Sequence, residues 1–256
     1  MKRKLILGIL LLCMNIGCST TNEDGEKNYL RAKGFLNGEP VKDLKKAFYY
    51  MEKSASDGYE KAQFELAVFY FTGIGIQKDE KKGVYWMEES AKKDNVESQF
   101  IVGGCYQDGT GVLKDEYQAF YWFEKSAKQG KMGAEFVLGV YYNQGIGTLK
   151  NKEKGFYWMK RSAVQGDARG QYMLAQYFYS GNGIAINKER SLFWYRKSAL
   201  QDYAKAQYSL GVFYMDGIGV EVDVSTGAYW IEKAYKGGNK EAATVWSQYE
   251  LWKYLK

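Results

Sequence analysis

One stretch of the chain, Gly73 to Asp94, reads GIGIQKDEKKGVYWMEESAKKD and could hide three kinds of chemistry. Glycines at 73 and 75 ahead of a lysine-rich segment could cradle a phosphate. Lysines beside Tyr85 and Trp86 could hold nucleic acid, which favours basic surfaces with aromatic platforms. Ser90 and Lys93 stand at a spacing that lets a lysine activate a serine for acylation. Outside this stretch, Cys105 is a candidate thiol nucleophile and Cys18 a candidate acylation site.

Each reading meets a counter-argument in the sequence. The 256-residue chain has no histidine, so Ser/His/Asp and Cys/His catalysis and every histidine-dependent metal site are excluded. The Gly-x-Gly segments follow helical rather than strand patterning and lack the lysine spacing of a phosphate loop. Ser90–Lys93 matches the Ser-x-x-Lys of penicillin-recognising enzymes, but the companion Ser-Asp-Asn and Lys-Thr-Gly motifs are missing. Lys78, Lys81, Lys82, Lys92 and Lys93 alternate with Glu80, Glu88 and Glu89, the pattern of a solvated mixed-charge face. Cys105 reads as a small buried hydrophobe rather than a reactive thiol. No cofactor and no metal are expected.

The N-terminus carries a different signal. Lys2, Arg3 and Lys4 precede an apolar run from Leu5 to Leu12, and Gly17 precedes Cys18. The run is too short to span a bilayer and has the flanks of a secretory signal. The Gly17–Cys18 junction resembles a bacterial lipobox, in which the cysteine is lipidated and becomes the new N-terminus; Asn15 departs from that motif. Cleavage without lipid and an uncleaved anchor are the other outcomes. Removing residues 1–17 takes away three cations and no acid, so the net charge falls from +6 to +3. A balance that small argues against nucleic acid as a partner. Cys13 lies in the signal and Cys18 would be lipidated, which leaves Cys105 alone in the mature body, so no intramolecular disulfide is expected.

The elements that must position these residues repeat every 36 residues. Trp86, Trp122, Trp158, Trp194 and Trp230 keep that step, as do Gly73/Gly75, Gly109/Gly111, Gly145/Gly147, Gly181/Gly183 and Gly217/Gly219. Ser54–Ala55 recurs at 90, 126, 162 and 198. The register runs without insertion from about residue 23 to the end, so the chain is expected to be one array with no second domain. Each unit reads as two helices. Ala62, Leu66, Phe69 and Tyr70 share one face of the first. Asp43, Asp79, Asp115, Asn151, Asn187 and Asp223 stand where N-caps of the second are needed. A small residue recurs inside the second helix (Ala47, Gly83, Ala119, Gly155, Ser191, Gly227), which predicts a close helix–helix approach. Gly58, Asp94, Gly130, Gly166, Asp202 and Gly238 mark its end in a left-handed conformation.

The segment AQFELAVFYFTGIGIQKDEKKGVYWMEESAKKD, residues 62–94, resembles a Sel-1-like repeat, the 36-residue relative of the tetratricopeptide repeat. Its Ala–Gln start, Leu–Ala/Gly pair, tyrosine, Gly-x-Gly, Asp cap, tryptophan and closing Ser–Ala all fit, and the resemblance extends over about residues 27–256. It implies an all-α, right-handed α-solenoid of about six helix-turn-helix repeats. Residues 1–17 would be a lipoprotein-type signal peptide and 18–26 a linker. The units would be 27–58, 59–94, 95–130, 131–166, 167–202 and 203–238, with a capping helix at 239–256. In the first unit Asn37–Gly38–Glu39–Pro40 replaces the Gly-x-Gly loop, a departure that suits a cap.

The resemblance also implies a non-catalytic scaffold or adaptor that binds a protein or peptide in a concave groove, in the bacterial envelope. The expected location is exported, periplasm-facing or at the surface, with a lipid anchor and the outer membrane ahead of the inner. A periplasmic immunity protein that neutralises a toxin, a purely structural envelope scaffold, and a cell-wall-fragment or β-lactam-binding protein are the alternatives. On a helical wheel, with about 100° per residue, Lys61, Phe64, Val68 and Phe71 oppose the Ala62–Leu66 face. Two rows result. Phe64, Phe100, Phe136, Tyr172 and Tyr208 are aromatic in every unit, which suits helix packing. Phe71, Gln107, Asn143, Tyr179 and Met215 differ in every unit, with Asp108, Gln144, Ser180 and Asp216 beside four of them. The variable row is the better candidate for partner recognition, with unselected surface drift as the other reading.

Overall fold

A computed structural model describes residues 23–38, 42–182 and 184–255. The signal segment, Cys18, Glu39–Pro40 and Gly183 lie outside the described residues. Among those described there are thirteen α-helices, one closing 3-10 turn and no strand. The fold is an all-α repeat of the solenoid class. The described helices gather into two compact units, divided between Asp79 and Glu80, although the sequence register runs unbroken across that boundary.

The smaller unit holds α1 (Glu23–Asn37), α2 (Leu44–Ser56) and α3 (Glu60–Thr72). Asp43 caps α2 by accepting the Lys46 amide at 3.0 Å. The Ser54 hydroxyl donates to the Gly25 carbonyl at 2.5 Å, tying α2 back to the first turn of α1. Ala32, Ala47, Met51, Ala62, Leu66 and Ala67 are fully buried. These small and aliphatic residues face one another across the helix pairs.

The larger unit holds α4 (Glu80–Lys92), α5 (Val96–Asp108), α6 (Glu116–Lys128), α7 (Met132–Gln144), α8 (Lys152–Gln165), α9 (Ala168–Ser180), α10 (Lys188–Ala199), α11 (Ala204–Asp216), α12 (Val224–Lys236) and α13 (Lys240–Gln248). Four of the expected caps are seen in this unit. Asp115, Asn151, Asn187 and Asp223 each accept a backbone N–H from the first turn of α6, α8, α10 and α12, and Glu116, Glu153 and Glu189 stand in those turns. Serines again tie the second helix of a repeat back to the first turn of its own first helix: Ser126 donates to the Val96 carbonyl at 2.9 Å and Ser198 to that of Ala168 at 2.6 Å.

Close helix approach at the small residues is also observed. A Cβ at Gly211 would stand 2.9 Å from the Gly227 carbonyl, and one at Gly139 would stand 3.3 Å from that of Gly155. The array closes on α13 and the turn Leu251–Tyr254. There Leu251 is buried with Ala228, Ile231, Ala234 and Ala242.

Candidate interaction surface

The variable row is less open than a single helical wheel suggests. Phe71, in the smaller unit, is only 7% exposed. The expectation of an outward Phe71 is therefore corrected: a wheel records one packing direction, whereas a repeat helix is packed on several sides. In the larger unit Gln107 and Tyr179 are exposed and Asn143 and Met215 half-buried. Asp108, Gln144, Ser180 and Asp216 beside them are all exposed.

Each member of the row leans on a neighbour. A Cβ at Gly155 would fall 2.1 Å from the Asn143 side-chain oxygen, and one at Gly227 would fall 2.4 Å from Met215 Cγ. The small residue inside the second helix therefore makes room for the row residue of the same repeat. The row also engages the following repeat. The Tyr141 hydroxyl donates to Gln107 Oε1 at 3.0 Å, the Tyr177 hydroxyl donates to Asn143 Oδ1, and the Tyr179 ring lies 5.4 Å from that of Phe213. These contacts fix where the remaining polar atoms point and cut the rotamer freedom that a partner would otherwise have to freeze.

The constant aromatic row is half-buried throughout and engaged in packing. Phe100 lies 5.6 Å from Phe123, and Lys131 stands over the Phe100 ring at 5.8 Å. The Arg169 guanidinium covers Phe136 at 4.4 Å. Tyr172 meets Tyr195 and Tyr203 at 5.6 and 5.4 Å. Tyr208 packs against the Ala228–Ile231 cluster, and Phe64 is half-buried in the smaller unit.

The residues first suspected of chemistry sit in structural positions. Ser90 is fully buried, and its hydroxyl accepts from Ser98 at 2.8 Å. Cys105 is a buried free thiol. Burial, with Asp108, Glu80 and Glu88 nearby, pushes its pKa up to about 12, so the nucleophilic thiolate is suppressed. Trp122, Trp158 and Trp230 are buried, while Trp86 and Trp194 are half-buried. Among the described residues no group of His, Cys, Asp and Glu is placed to hold a metal ion.

One charged residue inside the fold was missed although the repeat displays it. Gln63, Gln99, Gln171 and Gln207 occupy one repeat position, and the same position in between holds Glu135. The glutamines each donate an amide to the carbonyl eight residues back. Glu135 has no proton to donate when ionised, so it is held differently. Arg161 Nε donates to Oε1 at 2.8 Å and Gln165 Nε2 to Oε2 at 2.6 Å. Glu135 is fully buried, whereas the Arg161 side chain is 39% exposed. Burial holds the Glu135 carboxyl above its ordinary range, opposed by the hydrogen bonds and charge of Arg161 and by Gln165.

Comparison with known proteins assigns the repeat. The Sel1 repeat family matches six consecutive segments: residues 25–59, 60–95, 96–131, 133–167, 168–203 and 204–239. Among solved structures, the chain is similar to c5321 of uropathogenic Escherichia coli, a protective antigen displaying an SLR fold. The TM-score is 0.79 and the identity 30%, over 85% of this chain and 47% of that one. It is also similar to a Sel1 repeat protein from Oxalobacter formigenes, with a TM-score of 0.72 and 29% identity over 89% of this chain and 66% of that one. The chain thus spans about half the length of the first and less than two thirds of the second. No curated protein matches the chain. Sel1 repeat proteins are in general non-catalytic scaffolds for protein–protein interaction. With six consecutive repeats and an all-α repeat fold, this chain belongs to the Sel1 repeat family.

Proposed function

We propose that the protein is an exported, lipid-anchored scaffold that binds a protein or peptide partner on the first helices of its larger unit. The observation that carries this reading is the row Gln107, Asn143, Tyr179 and Met215. It changes type in every repeat, yet each member packs on a neighbour in its own or the following repeat, and exposed Asp108, Gln144, Ser180 and Asp216 flank it. Interleaved aromatic, thioether and amide groups on a rigid support can grip an extended segment by side-chain pockets and hydrogen bonds. The Gly17–Cys18 junction supports the anchor, which would concentrate the protein at an envelope membrane.

Site-specific photo-crosslinking tests the groove. A benzophenone amino acid at Gln144 or Tyr179 should give one covalent protein adduct, and the same probe at Tyr157 should not. An adduct from Tyr157 alone, or none from the groove positions, would overturn this reading. A toxin as partner would appear as the crosslinked species, and co-expression would then show protection. Metabolic palmitate labelling of the parent, lost in Cys18→Ala, tests the anchor.

A further inference from the structure

The second helices of the larger unit carry a row that neither core packing nor the proposed groove uses. Tyr85, Tyr121, Tyr157, Phe193 and Tyr229 stand 36 residues apart, and their exposure runs from 43% to 55%. In a repeat protein, a position recurs in kind where neighbouring repeats pack on it or where local backbone chemistry demands it, as at turns and caps. These five rings stay aromatic while facing water. Their edges meet the adjacent tryptophans at centroid distances of 5.0 to 5.2 Å. That contact covers one edge of each ring and does not require an aromatic residue at every step.

A cation accompanies the row. Lys125 lies over Tyr121 at 5.4 Å, Arg161 over Tyr157 at 6.0 Å, Lys197 over Phe193 at 5.0 Å and Lys233 over Tyr229 at 5.4 Å. The segments entering these helices expose large aliphatic side chains: Leu113 at 90%, Leu149 at 88%, Ile186 at 62% and Val222 at 64%. Acids and bases balance on α4 and α6, whereas two of the second helices are strongly basic. On α8, Lys152, Lys154, Lys160 and Arg161 oppose only Glu153, and on α10, Lys188, Arg190, Arg196 and Lys197 oppose only Glu189. The first helices α7 and α9 carry a single charged residue each, Glu135 and Arg169.

We propose that the outer side of these second helices, centred on α8 and α10, docks on an anionic phospholipid surface. Aromatic rings recurring at a constant step suit something uniform along that direction. A protein partner presents different groups at successive steps, whereas a bilayer presents the same ones. Tyrosine and phenylalanine rings with lysine and arginine heads are the side chains that settle at headgroup depth. Exposed leucine, isoleucine and valine can enter the acyl boundary, and the basic excess complements anionic headgroups. A second copy of this chain is disfavoured, because two such basic faces repel. A stacked sugar needs an open ring face, and a cation already covers one face of four of the rings.

Vesicle flotation of the full-length Cys18→Ser chain tests this without acylation at that residue. Phosphatidylcholine vesicles are compared with vesicles that also hold about one third phosphatidylglycerol. The parent should bind the anionic vesicles on the order of tenfold more tightly, and high salt should weaken the preference. The variant Lys152→Glu/Lys160→Glu/Lys188→Glu/Arg196→Glu should lose the preference. The variant Tyr157→Ser/Phe193→Ser should lose most of the binding that survives high salt. Thermal melts confirm that each variant is folded, and Lys160→Gln/Arg196→Gln, which introduces no new acid, should show an intermediate loss. Absence of a preference in the parent would overturn the proposal, as would a preference unchanged in both multiple variants. Loss with the charge variant alone would also overturn it and assign the face to a soluble polyanion. These substitutions leave the first-helix row intact, so this inference and the groove can fail separately.

Discussion

The chain reverses in two ways, and the difference shows what a glycine is for. Within a repeat the Gly-x-Gly segment joins the first helix to the second. Its second glycine is pressed against the preceding second helix: a Cβ at Gly147 would lie 2.0 Å from the Glu116 carbonyl oxygen, and one at Gly111 would lie 2.4 Å from that of Glu80. Between repeats the chain also turns through a left-handed residue, at Gly130, Gly166 and Gly238. A Cβ at any of those three meets nothing within 4 Å. The first turn needs glycine because there is no room, and the second only because of its backbone angles. Asp94 and Asp202 confirm the distinction, since both adopt positive φ, 63° and 58°, at the roomy turn.

The roomy turn is held by polar contacts in place of steric ones. Gln99 Nε2 donates to the Ala91 carbonyl and to the Asp94 carboxylate at 3.1 and 3.2 Å, and Gln129 donates to the Asp94 carbonyl. Gln207 treats Ala199 and Asp202 in the same way. After Gly130 the corresponding residue is Glu135, so that turn pairs glycine with a buried carboxylate. Where the next residue in the pattern is glutamine an aspartate can occupy the turn; where it is glutamate, glycine does.

The largest effect expected from this contrast is Gly147→Ala. A methyl group overlapping a helix carbonyl, at a φ of 60°, should cost about 3 kcal/mol in chemical denaturation. Gly130→Ala adds strain without overlap and should cost about 1 kcal/mol. Equal losses would erase the distinction between the two turns. Arg161→Ala comes next. It strands a fully buried carboxylate with Gln165 as its remaining donor, and a cost of about 2 kcal/mol at neutral pH is expected, reduced from a wholly buried pair by the exposure of Arg161. The same substitution beside Glu135→Gln should cost well under 1 kcal/mol, the scale of an exposed contact. A third pair sharpens the polar side. Gly166→Asp faces Gln171 and should be tolerated as Asp202 is before Gln207, whereas Gly130→Asp faces Glu135. The second should be less stable than the first by about 1 kcal/mol at pH 7, a gap that closes on acidification.

Much of this organisation was legible because the repeat serves as an internal alignment. The 36-residue step located the caps at Asp115, Asn151, Asn187 and Asp223, and the left-handed positions at Asp94 and Asp202 as well as at the glycines. Those features depend on local backbone chemistry, which sequence spacing records directly. Depth was less legible. Phe71 looked outward on a wheel and is buried, because burial depends on neighbours that a single helix does not contain. Constancy was read as a sign of core, which fits the tryptophans but not the exposed tyrosines one residue before them. Glu135 was visible as the one acid in a column of glutamines. It drew no notice because Glu and Gln have the same shape, and only burial makes the charge matter.

The smallest effect is also the most diagnostic. Glu135→Gln restores an amide able to donate to the Ala127 carbonyl, as Gln99 and Gln171 donate to Ala91 and Ala163, while still accepting from Gln165. The carboxyl pKa is raised in the fold above its ordinary value of 4.5, chiefly by burial. A group shifted in that direction favours the folded state most when protonated. Its contribution is fully present below the ordinary value and is lost as pH rises through the raised folded one. The parent therefore carries a penalty at neutral pH that the glutamine variant lacks. Glu135→Gln should gain about 1 kcal/mol at pH 7, and the gain should shrink to nothing as pH falls below the ordinary glutamate range. A stability difference independent of pH would mean that the Arg161 ion pair balances the burial of Glu135, and a loss at pH 7 would mean that it outweighs that burial, making the charged node the more stable of the two designs.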